Sequence, residues 1–581
     1  MQDHIAELLR TALTQVAAGP FPSLELPDRI GIERTRDASH GDFASNVAMA
    51  SAKSARANPR QIAEAIVAAL PNSPQVEKVE IAGPGFINFF LTSDAATAVV
   101  GQVLDAGEAY GRAAAPSGRK VMVEYVSANP NGPLHVGHGR GAALGDCVAN
   151  LLEAAGHSVG REYYVNDAGR QMDILAASIW VRYLELHQVT VAFPTGGYQG
   201  EYVREIARNL EQSHGDRFVH SGAAIVNGIG HDAPAGDKDA FVDALIAKMK
   251  TLLGEGFAIV HAAGLDSQLA DIRDDLEGFG IVYDRWFSEA SLVQDGAVEH
   301  ALDRLKASGH TAERDGALWL KSSEMGDEKD RVLVKADGAA TYYCNDLAYH
   351  VDKLDRDWPR LMDVWGADHH GYIARVRAAI EALTGRKDAL DVQLIQFVTL
   401  SSGRMGKRSG NFVTLQDLID EVGADATRFF YLMRSHEQHL EFDLDLARSR
   451  SNDNPVYYVQ YAHARLCSVE RQLVEQGGRY ERAAGLAALS RLDNEHEKRL
   501  MTALARFPEV VRSAAADVAP HRLAFYLKDE LADAFHSYYN AHKFLGDDTD
   551  LQAARLTLCE ATRNVLASGL RLLGVAAPEQ M

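Results

Sequence analysis

The sequence predicts an α/β protein whose central domain contains a parallel β-sheet. Between residues 113 and 455, strand-like segments such as LMDVWG (361–366) alternate with helical runs, a pattern that is typical of parallel sheets. A smaller unit precedes this region, and an almost wholly helical segment follows it. The length of 581 residues also exceeds what one hydrophobic core usually serves. We therefore expect three domains, over residues 1–112, 113–455 and 456–581.

The N-terminal region is predicted to be a small α/β (α+β) domain. Helical patterns flank the extended segment VEKVEIAGPGFINFFL (76–91), in which β-forming residues surround a Gly-Pro-Gly turn. In the central region we expect an insertion around residues 190–300, because a polar stretch at 211–239 interrupts the alternation of strands and helices. Residues 456–581 have Ala, Leu and Arg at helical spacing with few Gly or Pro, which indicates an all-α domain.

Composition narrows the classes of function. Lys and Arg number 59 against 80 Asp and Glu, and the net charge of −21 argues against a general nucleic-acid binder or a DNA partner. It remains compatible with local basic surfaces for RNA and with a cationic small ligand. The chain has no apolar stretch of about 20 residues and no signal-peptide pattern. Its four cysteines form no CxxC pair. We expect a cytoplasmic protein without a bound metal.

The strongest motif is SANPNGPLHVGHGRGAALGD (127–146), which follows the predicted strand Val121–Val126. A strand, a Pro/Gly-rich turn and a helix beginning near His138 would place backbone amides at a helix N-terminus, which suits phosphate. His135 and His138 flank this turn, and Gly137 allows a ligand close to the backbone. The alternatives are a metal-binding histidine pair or a connection without function. No acidic ligand lies one turn away, which disfavours the metal site.

A second segment, GRMGKRSGN (403–411), is basic and precedes a helix start. By itself it could be an ordinary basic surface turn. Together, the two segments resemble the HIGH motif and the KMSKS loop of class I aminoacyl-tRNA synthetases, the second in a form that arginyl-tRNA synthetases carry. Lys407 falls at the position of the second lysine. Arg404, Gly406 and Arg408 depart from the usual loop, so individual phosphate contacts are not assigned.

Further segments match the arginyl-tRNA synthetase family in order along nearly the whole chain. They include HGDFASNVAM (40–49), WGADHHGY (365–372), DNPVYYVQYAHAR (453–465) and the ending LLGVAAPEQM (572–581). The resemblance implies a doubly wound, Rossmann-like catalytic domain, an N-terminal additional domain that contacts tRNA and a C-terminal anticodon-binding domain. It implies that ATP, entering with Mg²⁺, activates arginine, which is then transferred to the 3′-terminal adenosine of its tRNA. Activation that requires bound tRNA and a monomeric state are also expected.

The resemblance also assigns residues. Catalysis would involve His135, His138 and Lys407. Binding of ATP would involve Pro133, Leu134, Gly137, Gly139, Asp368, His369, Arg404, Met405 and Arg408.

A site for arginine needs carboxylates, because the guanidinium group is planar, always charged and carries five N–H donors. We expect Asp346 to bind the guanidinium, with Tyr342 beside it. By resemblance, Glu124 and Asn129 hold the polar end and side chain of the amino acid next to His135. The alternatives are a capping or edge-strand role for Glu124 and a core position for Tyr342.

Asp368, His369 and His370 could instead be metal ligands of a phosphoesterase, but the Asp-rich motifs of such enzymes are missing. At the end of a parallel strand, Asp368 and His369 are expected to face the adenosine or the arginine.

Recognition of tRNA is expected at the start of the helical domain, because aromatic side chains stack on splayed RNA bases. The alternative is that many of these aromatic residues pack in the domain interface. The predicted set is Tyr457, Tyr461, His463 and Arg465.

Two rival functions are less consistent with the sequence. A cysteinyl-type class I synthetase would need a zinc-binding cysteine set, which is missing. A non-catalytic tRNA-binding paralogue is favoured only by the altered lysine loop.

Overall fold

The computed structural model describes residues 1–35, 37–401 and 413–581. The strands in these ranges are β1 (Ile32–Arg34), β2 (Phe43–Ser45), β3 (Val76–Ala82), β4 (Phe86–Leu91), β5 (Lys120–Glu124), β6 (Ser158–Val165), β7 (Arg285–Ser288), β8 (Thr311–Arg314), β9 (Ala317–Leu320), β10 (Arg331–Val334), β11 (Arg360–Gly366), β12 (Leu390–Ile395), β13 (Val398–Leu400) and β14 (Leu440–Phe442).

The α-helices in the same ranges are α1 (Gln2–Ala18), α2 (Val47–Ala55), α3 (Pro59–Ala68), α4 (Ser93–Ala106), α5 (Val136–Ala154), α6 (Arg170–Leu186), α7 (Glu201–His214), α8 (Gly222–Val226), α9 (Lys238–Leu253), α10 (Gly256–Gly278), α11 (Glu289–Gln294), α12 (Ala297–Ala307), α13 (Tyr342–Asp355), α14 (Ile373–Thr384), α15 (Leu415–Val422), α16 (Ala424–Leu432), α17 (Leu444–Arg448), α18 (Pro455–Glu475), α19 (Arg482–Ala487), α20 (Glu495–Ala516), α21 (Pro520–Phe525), α22 (Asp533–Ala541) and α23 (Thr549–Leu572).

The chain forms two compact units. The first contains Met1–Tyr110, Leu466–Arg506 and Asp533–Val565, and the second contains Gly111–Arg465, Phe507–Ala532 and Leu566–Met581.

In the first unit, residues 1–91 form a small α/β layer. An antiparallel sheet of order β1-β2-β4-β3 carries the helices α1, α2 and α3. The Gly-Pro-Gly turn predicted inside residues 76–91 joins β3 to β4, and its Gly83 has a φ of 52°, which glycine adopts readily. Asn58 caps α3 by accepting a hydrogen bond from the Arg60 N–H, with Pro59 at the first helical position.

The second unit is built around the predicted parallel sheet, which has five strands in the order β12-β11-β5-β6-β7. All its neighbouring strands are paired in parallel. The first of these strands in the chain, β5, lies in the middle, because β6 and β7 follow on one side and β11 and β12 on the other. This is the order of a doubly wound sheet, whose ligand crevice opens where the direction of winding reverses, here between β5 and β11.

The polar stretch 211–239 lies between β6 and β7, among the helices α7 to α9. Although the stretch is polar, part of it is buried. Phe218 and Ile225 are buried in a hydrophobic core together with Trp180 of α6, and the Trp180 indole N–H donates to the Phe218 carbonyl. The stretch therefore contributes to the core of this helical layer.

From Pro455 onward, the described chain is helical apart from its turns, as predicted. None of the helices in the described ranges combines the length and the apolar character that crossing a membrane requires.

Candidate active site

The crevice begins where β5 ends, at Glu124, two residues before the end predicted from the sequence. Val126 and Ser127 follow with φ values of 69° and 41°, which are unfavourable for residues other than glycine, above all for a β-branched one. Tertiary hydrogen bonds hold this turn: the Tyr283 hydroxyl donates to the carbonyl of Tyr125, 3.0 Å away. Ser127 thereby points its hydroxyl at the Glu124 carboxylate, at 2.9 Å.

His135 and His138 cap the helix that follows. Helix α5 begins at Val136 and not near His138 as predicted, because His135 is its N-cap. The His135 Nδ1 accepts hydrogen bonds from the N–H groups of Gly137 (3.1 Å) and His138 (3.3 Å), and the His138 Nδ1 accepts one from the His135 N–H at 3.2 Å. The two rings are stacked with their centroids 3.6 Å apart.

This arrangement fixes the protonation of both rings. Each Nδ1 is an acceptor, so each neutral ring carries its proton on Nε2. Burial lowers the pKa of His135. Burial, with a further contribution from His135, lowers the pKa of His138 to about 3. Both rings are therefore neutral Nε2–H donors near pH 7, at the positive end of a helix.

The neighbouring residues shape this turn. A Cβ atom on Gly137 would lie 2.9 Å from the His135 ring, and one on Gly139 would lie 2.5 Å from the Leu415 side chain. Leu134 is buried, and its carbonyl accepts a hydrogen bond from the Leu415 N–H at 2.8 Å. Pro133 is partly buried. Leu134 and Gly139 thus form part of the packed frame behind the turn.

The chain on the C-terminal side of the basic loop is hydrogen-bonded to the histidine turn. Val136 donates its N–H to the Val413 carbonyl, and His135 forms a β-bridge with Thr414. Thr414 then caps α15 by accepting from the Asp417 N–H at 2.9 Å. The predicted loop residues lie outside the described residues; they are Arg404, Met405, Lys407 and Arg408.

A cavity of about 260 Å³ opens at the carboxyl ends of β5 and β11. Its walls bring together four residues that the sequence predicted for arginine or ATP: Glu124, Asn129, Asp346 and His369. The aromatic side chains of Tyr164, Trp365 and Tyr372 also line it. The predicted residues of one site thus converge from three separate segments of the chain.

Asp346 contributes a carboxylate to this cavity from the second turn of α13. Its side chain accepts a hydrogen bond from the Tyr372 hydroxyl. Burial raises the pKa of Asp346, while Tyr372 and two nearby histidines oppose the rise. A cationic ligand beside this buried carboxylate would stabilise its charged form.

Besides the residues of the histidine turn, Tyr342 and Asp368 also lie outside the walls of this cavity. Tyr342 begins α13 and is 89% exposed, so the alternative of a core aromatic is wrong. Its contact with arginine stays a prediction. Asp368 is exposed on the 3₁₀ helix Ala367–Tyr372 that follows β11, with a carboxylate oxygen 3.6 Å from the His369 Nε2.

The sequence did not point to Glu289, the first residue of α11. Burial raises the pKa of Glu289, and the negative charge of Asp346 raises it further. The hydroxyl of Tyr164, a cavity residue, is hydrogen-bonded to it. No local motif marks Glu289, because only the pairing of β7 with β6 brings it near the other acids. Among the residues that the structure describes, no group of three or more His, Cys, Asp or Glu could hold a metal ion.

The predicted RNA-binding residues share the first turns of α18. Tyr457 and Tyr461 stack with ring centroids 5.6 Å apart, and the Arg465 guanidinium lies 4.3 Å from the Tyr461 ring. All three are partly exposed. His463 is buried, and its Nδ1 lies 2.9 Å from the carbonyl of Pro578. Packing therefore accounts for His463, whereas the other three form a partly exposed row. The RNA contacts of all four stay predictions.

Three family models match the chain. They describe an arginyl-tRNA synthetase N-terminal domain (residues 3–91), a class I (R) tRNA synthetase catalytic domain (99–218 and 262–440) and a DALR anticodon binding domain (459–581). An arginine–tRNA ligase of Thioalkalivibrio sulfidiphilus is 53% identical, with 100% of each chain covered. The chain belongs to the arginyl-tRNA synthetase family.

Solved structures agree with this assignment. A putative arginyl-tRNA synthetase from Campylobacter jejuni is 31% identical, with 84% of this chain and 100% of that one covered and a TM-score of 0.72. The arginyl-tRNA synthetase of Thermus thermophilus is 25% identical, with both chains fully covered and a TM-score of 0.74. The resemblance found in the sequence, including the three-part fold, is confirmed.

Proposed function

We propose that this chain is an arginine–tRNA ligase that forms arginyl-adenylate and transfers the arginyl group to its tRNA. An oxygen of the arginine carboxylate attacks the α-phosphorus of ATP, and the bond to the departing pyrophosphate breaks. A hydroxyl of the terminal adenosine then attacks the carbonyl carbon, and AMP leaves. The full-length likeness to arginine–tRNA ligases supports this reaction. The observation that carries it is an acid-lined cavity at the sheet crevice, next to the histidine turn.

Arginine is proposed to lie with its guanidinium deep in the cavity. Asp346 lines the cavity, and Glu289 is hydrogen-bonded to the cavity residue Tyr164. Burial raises the pKa of both acids, and a guanidinium would satisfy both through charge-assisted hydrogen bonds. Glu124, Ser127 and Asn129 lie at the end of β5 and its turn and would take the α-ammonium group. Such a site rejects a neutral analogue, because its carboxylates would stay unpaired.

ATP is proposed to lie over the N-terminus of α5. The Nε2–H donors of His135 and His138 and the backbone near Gly137 would stabilise charge that develops on the α-phosphate. Asp368 and His369 would contact the nucleoside. Lys407 would contact the leaving pyrophosphate, and Mg²⁺ enters on the phosphate oxygens of ATP.

The tRNA is proposed to contact the row of Tyr457, Tyr461 and Arg465 through its anticodon loop, and the domain 1–112 through another loop. Stacking of unpaired bases on aromatic side chains supports the first contact. We also propose domain limits at residues 112 and 455, a monomeric state, a cytoplasmic location and activation that depends on bound tRNA.

ATP–pyrophosphate exchange with each of the twenty amino acids, with and without total tRNA, tests the proposal. Exchange with arginine alone, followed by formation of arginyl-tRNA, is expected. Exchange with another amino acid would contradict the substrate assignment. If the protein still binds tRNA but shows no exchange with any amino acid, the result would favour the non-catalytic tRNA-binding alternative. The family match does not favour that alternative.

A further inference from the structure

Three carboxylates form a row across the middle of the parallel sheet. Asp363 of β11 is paired in register with Glu124 of β5, and Glu124 with Glu162 of β6. Residues in register on neighbouring strands point to the same face of a sheet. All three carboxylates are buried, and a buried carboxylate is unfavourable unless it is paired.

One face of α13, continued by its C-cap residue Arg356, supplies the partners at a spacing of three residues. The Lys353 ammonium group lies 2.5 Å from a Glu124 oxygen and 3.1 Å from an Asp363 oxygen. The His350 Nε2 lies 2.9 Å from the other Asp363 oxygen. One turn further on, the Arg356 guanidinium lies 2.7 Å from Glu162.

Only one of these cation–glutamate pairs adjoins the cavity. Glu124 lines it, whereas its neighbour Glu162 does not. Lys353 is fully enclosed behind the cavity wall, where it contacts no substrate. Its two carboxylate partners, Glu124 and Asp363, both line the cavity, and the contact with Glu124 is the shorter one.

We propose that Lys353 is a positioning residue that holds the Glu124 carboxylate charged and in place for the α-ammonium group of arginine. This inference rests on the proposed function. The acids of the site would then be balanced by different cations. Lys353, His350 and Arg356 balance the row within the protein, so that Asp346 and Glu289 are left to balance the guanidinium.

The electrostatics of Glu124 agree with this geometry. Burial raises the pKa of Glu124, and Lys353 is the largest influence that lowers it. His350 also lowers this pKa, whereas Asp363 raises it. The other titratable groups that face Glu124 are acids or phenols, which cannot replace the lysine; they are Glu162, Tyr164, Tyr283, Asp346 and Tyr349.

Lys353→Met tests the proposal, because methionine fills similar space without a charge. The rise that burial causes in the pKa of Glu124 would then be less opposed, so Glu124 would keep its proton to a higher pH and, while protonated, lose its attraction for the α-ammonium group. We expect the KM for arginine to rise at least tenfold at pH 7, while kcat at saturating arginine changes less than threefold. The ratio of variant to wild-type KM should fall as the pH rises and Glu124 ionises.

Arg356→Met is the matched control. It removes the cation at the C-cap of α13 and leaves the carboxylate of Glu162, the register neighbour of Glu124, without its closest cationic partner. We expect lower thermal stability but an arginine KM within twofold of wild type. A general loosening of the sheet would instead raise the KM in both variants.

The assay is ATP–pyrophosphate exchange in the presence of tRNA, with arginine varied between pH 6.5 and 9.5. Glu124→Gln should raise the KM at every pH, and adding Lys353→Met to it should change the KM less than twofold. If Lys353→Met alone does not fold, this double variant still tests the role of Lys353, because it leaves no unpaired carboxylate at position 124. Lys353→Arg should restore most of the affinity.

The role of Lys353 is overturned if Lys353→Met keeps the wild-type arginine KM, or raises it equally at every pH, or if the two substitutions act independently. Failure of the proposed function looks different, because the wild-type protein itself would then show no exchange with arginine.

Discussion

Replacement of Asp346 by Asn tests the guanidinium pocket. One oxygen of Asp346 accepts the Tyr372 hydroxyl, which leaves the other oxygen and a remaining lone pair for arginine. Two charge-assisted hydrogen bonds of about 1.5 kcal/mol each would be weakened, a total of about 3 kcal/mol. Asp346→Asn should therefore raise the arginine Kd about 150-fold. Tyr372→Phe keeps the charge and removes one neutral donor, so that about 1 kcal/mol, or about fivefold, is expected.

The dependence on pH follows from the direction of the pKa shift. Burial raises the pKa of Asp346, and only the ionised carboxylate attracts the guanidinium. The arginine affinity of the wild type should therefore fall as the pH drops through this raised pKa. The affinity of Asp346→Asn should not show this dependence on pH. At a pH above this raised pKa, the buried carboxylate is charged and lowers the free energy of unfolding. The Asn variant without arginine should consequently have the higher Tm at pH 7.

Isothermal titration calorimetry with arginine between pH 5 and 8, together with thermal unfolding of the free proteins, measures both effects. An arginine Kd that changes less than threefold in Asp346→Asn would refute the pocket assignment. A lower Tm of the free variant would show instead that the carboxylate stabilises the fold.

Three further results are expected. His138→Ala should slow pyrophosphate exchange about 100-fold or more, with little change in arginine KM. Because the pKa of His138 is lowered to about 3, this residue should stay neutral between pH 6 and 8 and cause no change in the wild-type rate there. A clear step in the rate over this range would contradict the neutral-donor assignment. Lys407→Ala should reduce the exchange rate far more than arginine affinity in the same assay; equal losses would contradict its placement on pyrophosphate. Gly574→Ala should lower the free energy of unfolding, measured in urea, by about 1–3 kcal/mol. The reason is that Gly574 has a φ of 69° and that a Cβ atom there would lie 2.0 Å from the Arg428 guanidinium. An unchanged free energy of unfolding would contradict this prediction.

The sequence predicted the features that depend on local pattern. The alternation of strands and helices predicted the parallel sheet, and the Gly-Pro-Gly pattern predicted the turn across which β3 and β4 pair. The start of α5 was misplaced because histidine is a rare helix cap, and here two histidines cap each other's backbone. The left-handed turn at Val126 and Ser127 has no local signal, since hydrogen bonds from distant tyrosines hold it.

The site was predicted where a motif marks its residues and missed where only the fold brings them together. Glu289 enters the site through the pairing of β7 with β6, and Lys353 through the packing of α13 over Glu124. Neither contact can be read from sequence spacing. A buried lysine also has no sequence signature until its carboxylate partners are located in space.

A crystal structure of the protein with arginine and a non-hydrolysable ATP analogue would show how both ligands bind. We expect the guanidinium within about 3 Å of the Asp346 carboxylate, the α-ammonium group at Glu124, and the α-phosphate beside the Nε2 atoms of His135 and His138. Arginine bound in the opposite orientation, or away from the cavity between β5 and β11, would contradict this expectation.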